Sequence, residues 1–256
     1  MSEAEFIATS TTTNEDQKPE LTTGESNNLS LDFSIKFDLE KVIEKYSASA
    51  SWNETSRKTF SDFLHHFLIY VLMNRGENQR KVFTLKTSSE GEASIIKYMK
   101  EHTPESIERA QLNDPDNYTS GDLFEEITKE NVAEDLKPFA HSESIKAIYK
   151  FTDRSNGEQP VTHQVIHLSF DFEQVKEFIL EHFEFHQDVF CREVSLTCIC
   201  AGFSALLEYI AAEIIELSGR FTEEKVLTVA ALQKGLQSDP ALSSLPCSHI
   251  ILAQLP

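Results

Sequence analysis

Apolar residues recur at intervals of three and four along much of this chain, which is the spacing of one face of an α-helix. The clearest example is SALLEYIAAEIIELSG at residues 204–219, where leucine and isoleucine fall on one side and three glutamates on the other. This pattern predicts a long helix from about residue 195 to residue 219. A broad stripe of phenylalanine, leucine and valine predicts another long helix over residues 57–76.

Shorter predicted helices flank both long ones, so the same order of helices occurs twice. One long helix lies between predicted helices at 33–46 and 90–102, and the other between predicted helices at 171–183 and 228–239. A repeat of short, long and short helices indicates two similar units in tandem. The chain of 256 residues has only 8 glycines and 8 prolines, so the predicted fold class is all-α.

Composition divides the chain into four regions. Residues 1–32 are rich in Ser, Thr, Glu and Asn, which is typical of a disordered acidic tail. The remaining regions are a helical unit at 33–152 with an acidic insert at 101–134, a polar linker at 153–160, and a second unit at 161–256. Two further helices are predicted in the first unit, over residues 121–136 and 136–152.

Several of these segments resemble parts of the core histones. LEYIAAEIIELSG at 207–219 closely resembles the long middle helix of histone 2A, and LSFDFEQVKEFI at 168–179 resembles the entry to its first helix. FAHSESIKAIYKFT at 139–152 resembles the C-terminal helix of histone 2B. The chain therefore resembles a fused histone 2B–histone 2A doublet of the giant-virus type, in an acidic and divergent form.

This resemblance implies a fold, a set of partners and a location. The implied fold is two tandem histone folds packed as an intramolecular handshake, which makes a pseudo-heterodimer. The implied partners are histone 3–4-type proteins or their doublet, with DNA wrapped outside in nucleosome-like particles. The implied location is the nucleus, a viral factory or the virion. The polar, acidic first residues also predict a protein that is not secreted.

Charge limits how strongly such a protein can bind DNA. The formal net charge is −19, and only residues 33–100 carry a net positive charge. Phosphate binding needs Lys and Arg. The first unit keeps candidates at positions that the resemblance implies, which are Arg57, Lys58, Arg80, Lys81 and Lys86. The second unit has largely lost that set, and its local substitutes are Arg192, Arg220 and Lys225. DNA binding is expected to be weak and mainly through the 2B-like half. The alternative is a scatter of solvated cations.

The family also implies an acidic patch that receives basic peptides. The matching acids are Glu143 from the first unit and Glu208, Glu213, Glu216 and Asp239 from the second. Helical spacing places the three glutamates of the 204–219 segment on its polar side. They are therefore expected on an outer, protein-binding face. The alternative is an ordinary solvated helix surface.

Other function classes are not expected from this sequence. It contains no phosphate-binding glycine loop, no dinucleotide fingerprint and no metalloprotease motif, so no enzyme activity, cofactor or metal is predicted. His182 and His186, spaced like ligands one helical turn apart, form a weak zinc candidate. No membrane partner is expected. The alternative function is a non-nucleosomal histone-fold adaptor or chaperone-like protein that binds histones or transcription factors.

Overall fold

The computed structural model describes residues 35–46, 50–73, 79–86, 118–155, 160–222 and 224–253, and it is mostly helical, in agreement with the predicted class. The elements before residue 100 are α1 (Leu39–Tyr46), β1 (Ser51–Trp52), α2 (Glu54–Met73), α3 (Gln79–Val82) and β2 (Phe83–Leu85). Helices α4 (Ser120–Asn131) and α5 (Lys137–Ser155) follow. The remaining elements are α6 (Phe172–His182), β3 (Phe183–Phe185), a 3₁₀ turn (Gln187–Val189), α7 (Leu196–Gly219), β4 (Val226–Leu227), α8 (Val229–Ser238), α9 (Pro240–Ser243) and α10 (His249–Leu252).

The helices predicted after residue 170 match α6, α7 and α8 within one residue or two. Helix α2 begins three residues before its predicted start, because Asn53 accepts a hydrogen bond from the Ser56 main-chain N–H (2.8 Å) and so caps the helix. Helix α5 continues to Ser155, into the predicted linker. The predicted tail at 1–32 and the predicted helix at 90–102 lie outside the described residues.

Helix α7 lies at the centre of the packing. It contacts α1, α2, α5, α6 and α8, and its buried residues surround the helix axis rather than forming one stripe. Its length and composition would suffice to cross a membrane, but 89% of that apolar window is buried inside the protein. This is how the core helix of a globular protein is covered, and α7 serves as that core helix here.

Aromatic side chains join α7 to elements from earlier in the chain. The Phe203 ring of α7 lies 5.8 Å from the Phe83 ring of β2 and 5.2 Å from the Phe124 ring of α4, measured between centroids. The neighbouring Gly202 has no space for a side chain, because an added Cβ would lie 2.5 Å from the Phe124 ring. Glycine therefore allows α4 to pack closely against α7.

Two short strand pairs join the chain regions on either side of residue 118. Strand β1, just before α2, pairs in parallel with β4, which follows α7. Strand β2, after α2, pairs antiparallel with β3, which precedes α7. Each pair thus links the start of one long helix to the end of the other.

Candidate functional site

Four of the five predicted acidic residues line one cleft of about 510 Å³. Its walls come from α1, α5, α7 and the segment before α6, and the four acids are Glu143, Glu208, Glu213 and Glu216. Lysines, Tyr46, Tyr209 and the exposed ring of Phe139 also line it. The fifth acid, Asp239, acts electrostatically on Glu213 and Tyr209 from nearby. The cleft therefore has an acidic floor and a mixed polar and aromatic rim.

Glu208 does not lie on an outer face, and that expectation is corrected. Its side chain is only 3% exposed. The Lys45 ammonium donates to Glu208 Oε1 (2.7 Å), and the Ser169 main-chain N–H donates to Oε2 (2.6 Å). The hydroxyls of Ser169 (3.1 Å) and Tyr46 (3.3 Å) also donate to Oε1. A buried carboxylate needs such a complete set of donors, so Glu208 is an internal ion-pair partner.

The ion pair of Lys45 and Glu208 joins α1 to α7. Burial lowers the pKa of Lys45, but the hydrogen bond and charge of Glu208 outweigh it, so the net pKa is raised and Lys45 stays charged. Its ammonium also donates to the carbonyl of His167 (3.2 Å), a residue with a left-handed backbone (φ 63°). Residues from both sides of the linker thus meet at this carboxylate.

Glu213 and Glu216 provide the acidic character that the cleft presents to solvent. Burial raises the pKa of Glu213, a hydrogen bond from Tyr209 opposes that rise, and the charges of Glu216 and Asp239 add to it. Burial and Glu213 in turn raise the pKa of Tyr209. The carboxylates therefore repel one another, and an added cation would relieve that repulsion.

Part of the acidic charge is already matched within the chain. Glu143 forms an ion pair with Lys146 (2.7 Å) on the same face of α5, and Glu216 lies 3.8 Å from the Arg220 guanidinium. Asp239 caps α9 by accepting from the main-chain N–H groups of Ala241 and Leu242 (2.7 and 3.2 Å). These contacts are exposed or lie at a helix end, so they weaken the patch without removing it.

The predicted DNA-contacting residues do not form a single surface. Arg57 and Lys58 are exposed in the first turn of α2, and Arg57 is 3.9 Å from Glu40. Exposed Lys225 lies at the same end, because its carbonyl accepts from the Ser51 main-chain N–H (2.9 Å) beside β1. Sequence reasoning assigned Lys225 to the second unit alone. The β1–β4 pairing, which no pattern in a two-residue strand reveals, brings it to the first unit's basic residues.

The β2–β3 end carries the other group of cations. Lys81 is exposed, while Lys86 is half-buried and its ammonium donates to the carbonyl of Leu180. Arg80 lies in α3, and its side chain is outside the described part of the structure. Of the remaining candidates, Arg192 lines a separate cleft of about 920 Å³ near the start of α7, and Arg220 is the C-cap residue that follows α7.

The two candidate zinc ligands flank β3 and do not share a helical turn. Helix α6 ends at His182, and the Nε2 atom of His186 is 2.8 Å from the hydroxyl of Thr84 across the strand pair. Within the described ranges, no group of three His, Cys, Asp or Glu residues is arranged to hold a metal ion. The interpretation of these histidines as ligands one helical turn apart is therefore wrong.

Comparison with known proteins gives no family assignment. No protein-family model matches this chain, and no curated protein matches it.

Proposed function

We propose that this chain is a structural chromatin protein, a fused histone 2B–histone 2A-like doublet that forms one pseudo-heterodimer. The observation that carries the proposal is the crossed pairing of β1 with β4 and β2 with β3, around two long helices that each follow a short one. A handshake of two histone folds needs this connection, in which the loop before one long helix meets the loop after the other. The sequence resemblance at 207–219 and 139–152 supports the same reading.

Fusion of two such units has a physical advantage. Neither half could bury its apolar surface alone, since Phe203 of α7 packs against rings that precede the linker. A covalent link makes the pairing intramolecular and raises the effective concentration of each half for the other. The doublet is therefore expected to stay paired at any dilution.

DNA contact is proposed at the two strand pairs. Each strand pair places lysine or arginine side chains beside a helix terminus, as binding to the phosphate backbone of DNA requires. Nearby acids and the net charge of −19 oppose phosphate, so the affinity is expected to be low and strongly salt-dependent. Assembly would depend mainly on protein contacts with histone 3–4-type partners and on basic peptides that enter the acidic cleft.

An electrophoretic mobility shift assay at about 0.1 M salt tests the proposal, with and without a histone 3–4 tetramer. Reversing Arg80 and Lys81 together to Glu should remove most of the DNA binding. Reversing Arg220 should have less effect, because Glu216 already lies 3.8 Å from its guanidinium. The double variant K129E/K137E makes the same change of charge on α4 and α5, outside the strands and helix α3. Equal losses in both double variants would contradict DNA contact at β2–β3.

A non-nucleosomal adaptor or histone chaperone is the second candidate, favoured by the same net charge of −19 and by the acidic cleft. Such a protein would bind free basic histones and compete with DNA for them. If the assay gives no DNA association with or without the tetramer, the nucleosomal proposal is wrong. If the chain binds no basic histone in a pull-down, the adaptor proposal is wrong.

A further inference from the structure

The acidic cleft already contains a cation that belongs to the chain itself. The Lys45 ammonium enters from α1 and lies 2.7 Å from Glu208 Oε1, at the position where a basic side chain from outside would meet the deepest carboxylate. The ammonium donates hydrogen bonds to Glu208 Oε1 and to the carbonyl of His167, and it lies 5.1 Å from the centre of the Tyr46 ring. The Lys45 ammonium thus acts as an internal ligand of the cleft.

We propose that Lys45 is an intramolecular competitor, which a partner's arginine must displace to bind the acidic cleft. This inference rests on the proposed function, in which basic peptides enter this cleft. It adds a regulatory contact made by α1.

The exposed fractions of the Lys45 and Glu208 side chains favour displacement of Lys45 over movement of Glu208. The Lys45 side chain is 43% exposed, so its ammonium can turn toward water without a large loss of packing. Glu208 is 3% exposed and stays hydrogen-bonded to the main-chain N–H and hydroxyl of Ser169. The carboxylate therefore remains in place when the ammonium leaves, as a preorganised acceptor.

Arginine is better suited than lysine to replace this ammonium. A guanidinium is planar, more weakly hydrated, and able to bridge two acceptors at once, whereas an incoming lysine would only exchange one ammonium for another. Glu213 and Glu216 lie one and two helical turns further along α7 and line the same cleft. The rim also offers the exposed ring of Phe139, on which a guanidinium can stack.

Fluorescence anisotropy with a fluorescein-labelled Gly–Arg repeat peptide tests this directly on the full chain. If the Lys45 ammonium is paired with Glu208 about nine-tenths of the time, removing it should tighten peptide binding about tenfold. K45M is the test variant and K45Q the second. The matched control is K41M, which removes the same charge from the same helix, where Lys41 pairs with partly exposed Asp38. K41M should change the affinity less than about twofold.

The outcomes separate the inference from the proposed function. The double variant K45M/E208Q should lose the tightening, because the uncovered carboxylate is gone. If the wild type binds the peptide and K45M behaves like K41M, the competitor inference is wrong while peptide binding stands. If no variant binds the peptide, both the inference and the peptide-binding part of the proposed function are wrong, and the DNA assay tests the remainder.

Amine labelling of the wild-type chain gives a readout that needs no mutation. Saturating Gly–Arg peptide should raise the rate at which an amine-reactive reagent modifies Lys45, because the displaced ammonium enters solvent. Lys41 supplies the internal reference and should change little. A slower reaction at Lys45 would contradict displacement, since it would mean that the peptide covers the existing ion pair. A Gly–Lys peptide should have a smaller effect than the Gly–Arg peptide.

Discussion

The two long helices differ in how the rest of the protein covers them. Helix α7 is buried around most of its circumference from Cys198 to Glu208 and is exposed only near its C-terminal end, whereas α2 is exposed at its N-terminal end, which includes Arg57 and Lys58, and is mostly buried over the rest of its length. The strand pairs at their ends also differ, since β1–β4 is parallel and β2–β3 antiparallel. The pairing of the two halves is therefore not symmetric. Both helices contribute to the shared core, and the N-terminal end of α2 also forms part of an outer surface.

The comparison explains why one glutamate of α7 is internal. A helix that is covered around most of its circumference turns part of its polar face toward neighbouring elements, and Glu208 then needs donors from them. Lys45, Tyr46 and Ser169 supply those donors. Glu216, two turns further on, is exposed and has no such set. The same residue type thus has a structural role at one position and a surface role at the other.

The largest expected effect concerns the core role of α7. Phe203→Ala removes a fully buried ring that contacts Phe83 and Phe124, so the free energy of unfolding should fall by about 3–5 kcal/mol. Phe139→Ala removes the same ring from a site that is 62% exposed and should cost less than about 0.5 kcal/mol. Urea unfolding measures both. Similar losses would contradict the central position of α7.

Lowering the pH should destabilise the protein through His65, which lies on the buried face of α2. Burial lowers the pKa of His65 to about 4 from a usual value near 6.5, despite ring contacts to the carbonyls of Ser61 and Ile35 (2.8 and 2.9 Å). The unfolded chain therefore binds the extra proton between pH 6.5 and 4, and stability falls by about 3 kcal/mol as pH decreases through that window.

Urea unfolding of the wild type and of His65→Gln, measured at several pH values, checks this. The variant lacks the titrating ring, so its stability should depend less on pH between 6.5 and 4. If the two proteins lose the same stability over that range, protonation of His65 does not account for the loss of stability in acid.

The smallest of the three expected effects is the loss of stability on removing Glu208, which is compared with the removal of Glu216 from the same helix. Glu208→Ala leaves the Ser169 main-chain N–H buried without its acceptor and should cost about 2–3 kcal/mol, while the half-exposed Lys45 can still reach water. Glu216→Ala should change the stability by less than about 0.5 kcal/mol, because its contact with Arg220 is exposed. Thermal unfolding of both variants distinguishes these roles. Equal effects would mean that Glu208 is an ordinary surface acid.

Sequence patterns predict the helices of this chain better than its contacts. The starts of α6, α7 and α8 are marked by Asp171, Ser195 and Thr228, whose side chains cap the first turns, and apolar periodicity then sets the helix lengths. The cap at Asn53, inside WNETS, is a similar signal that gives the true start of α2.

The candidate site depends on tertiary contacts that periodicity does not contain. A helical projection places Glu208, Glu213 and Glu216 on one side of α7, but it cannot show that α1 and Ser169 cover the first of them. Strands of two or three residues are likewise too short for an alternating pattern, so the approach of Lys225 to β1 is not visible in the sequence.

We propose that this chain acts as a paired histone 2B–2A-like unit in a DNA-packaging particle. Reconstitution by salt dialysis with a histone 3–4 tetramer and DNA, followed by nuclease digestion, tests it most directly. The claim predicts a discrete particle that contains this chain and protects a longer DNA fragment than the tetramer alone. Protection identical to that of the tetramer alone, with this chain left unbound, would contradict it.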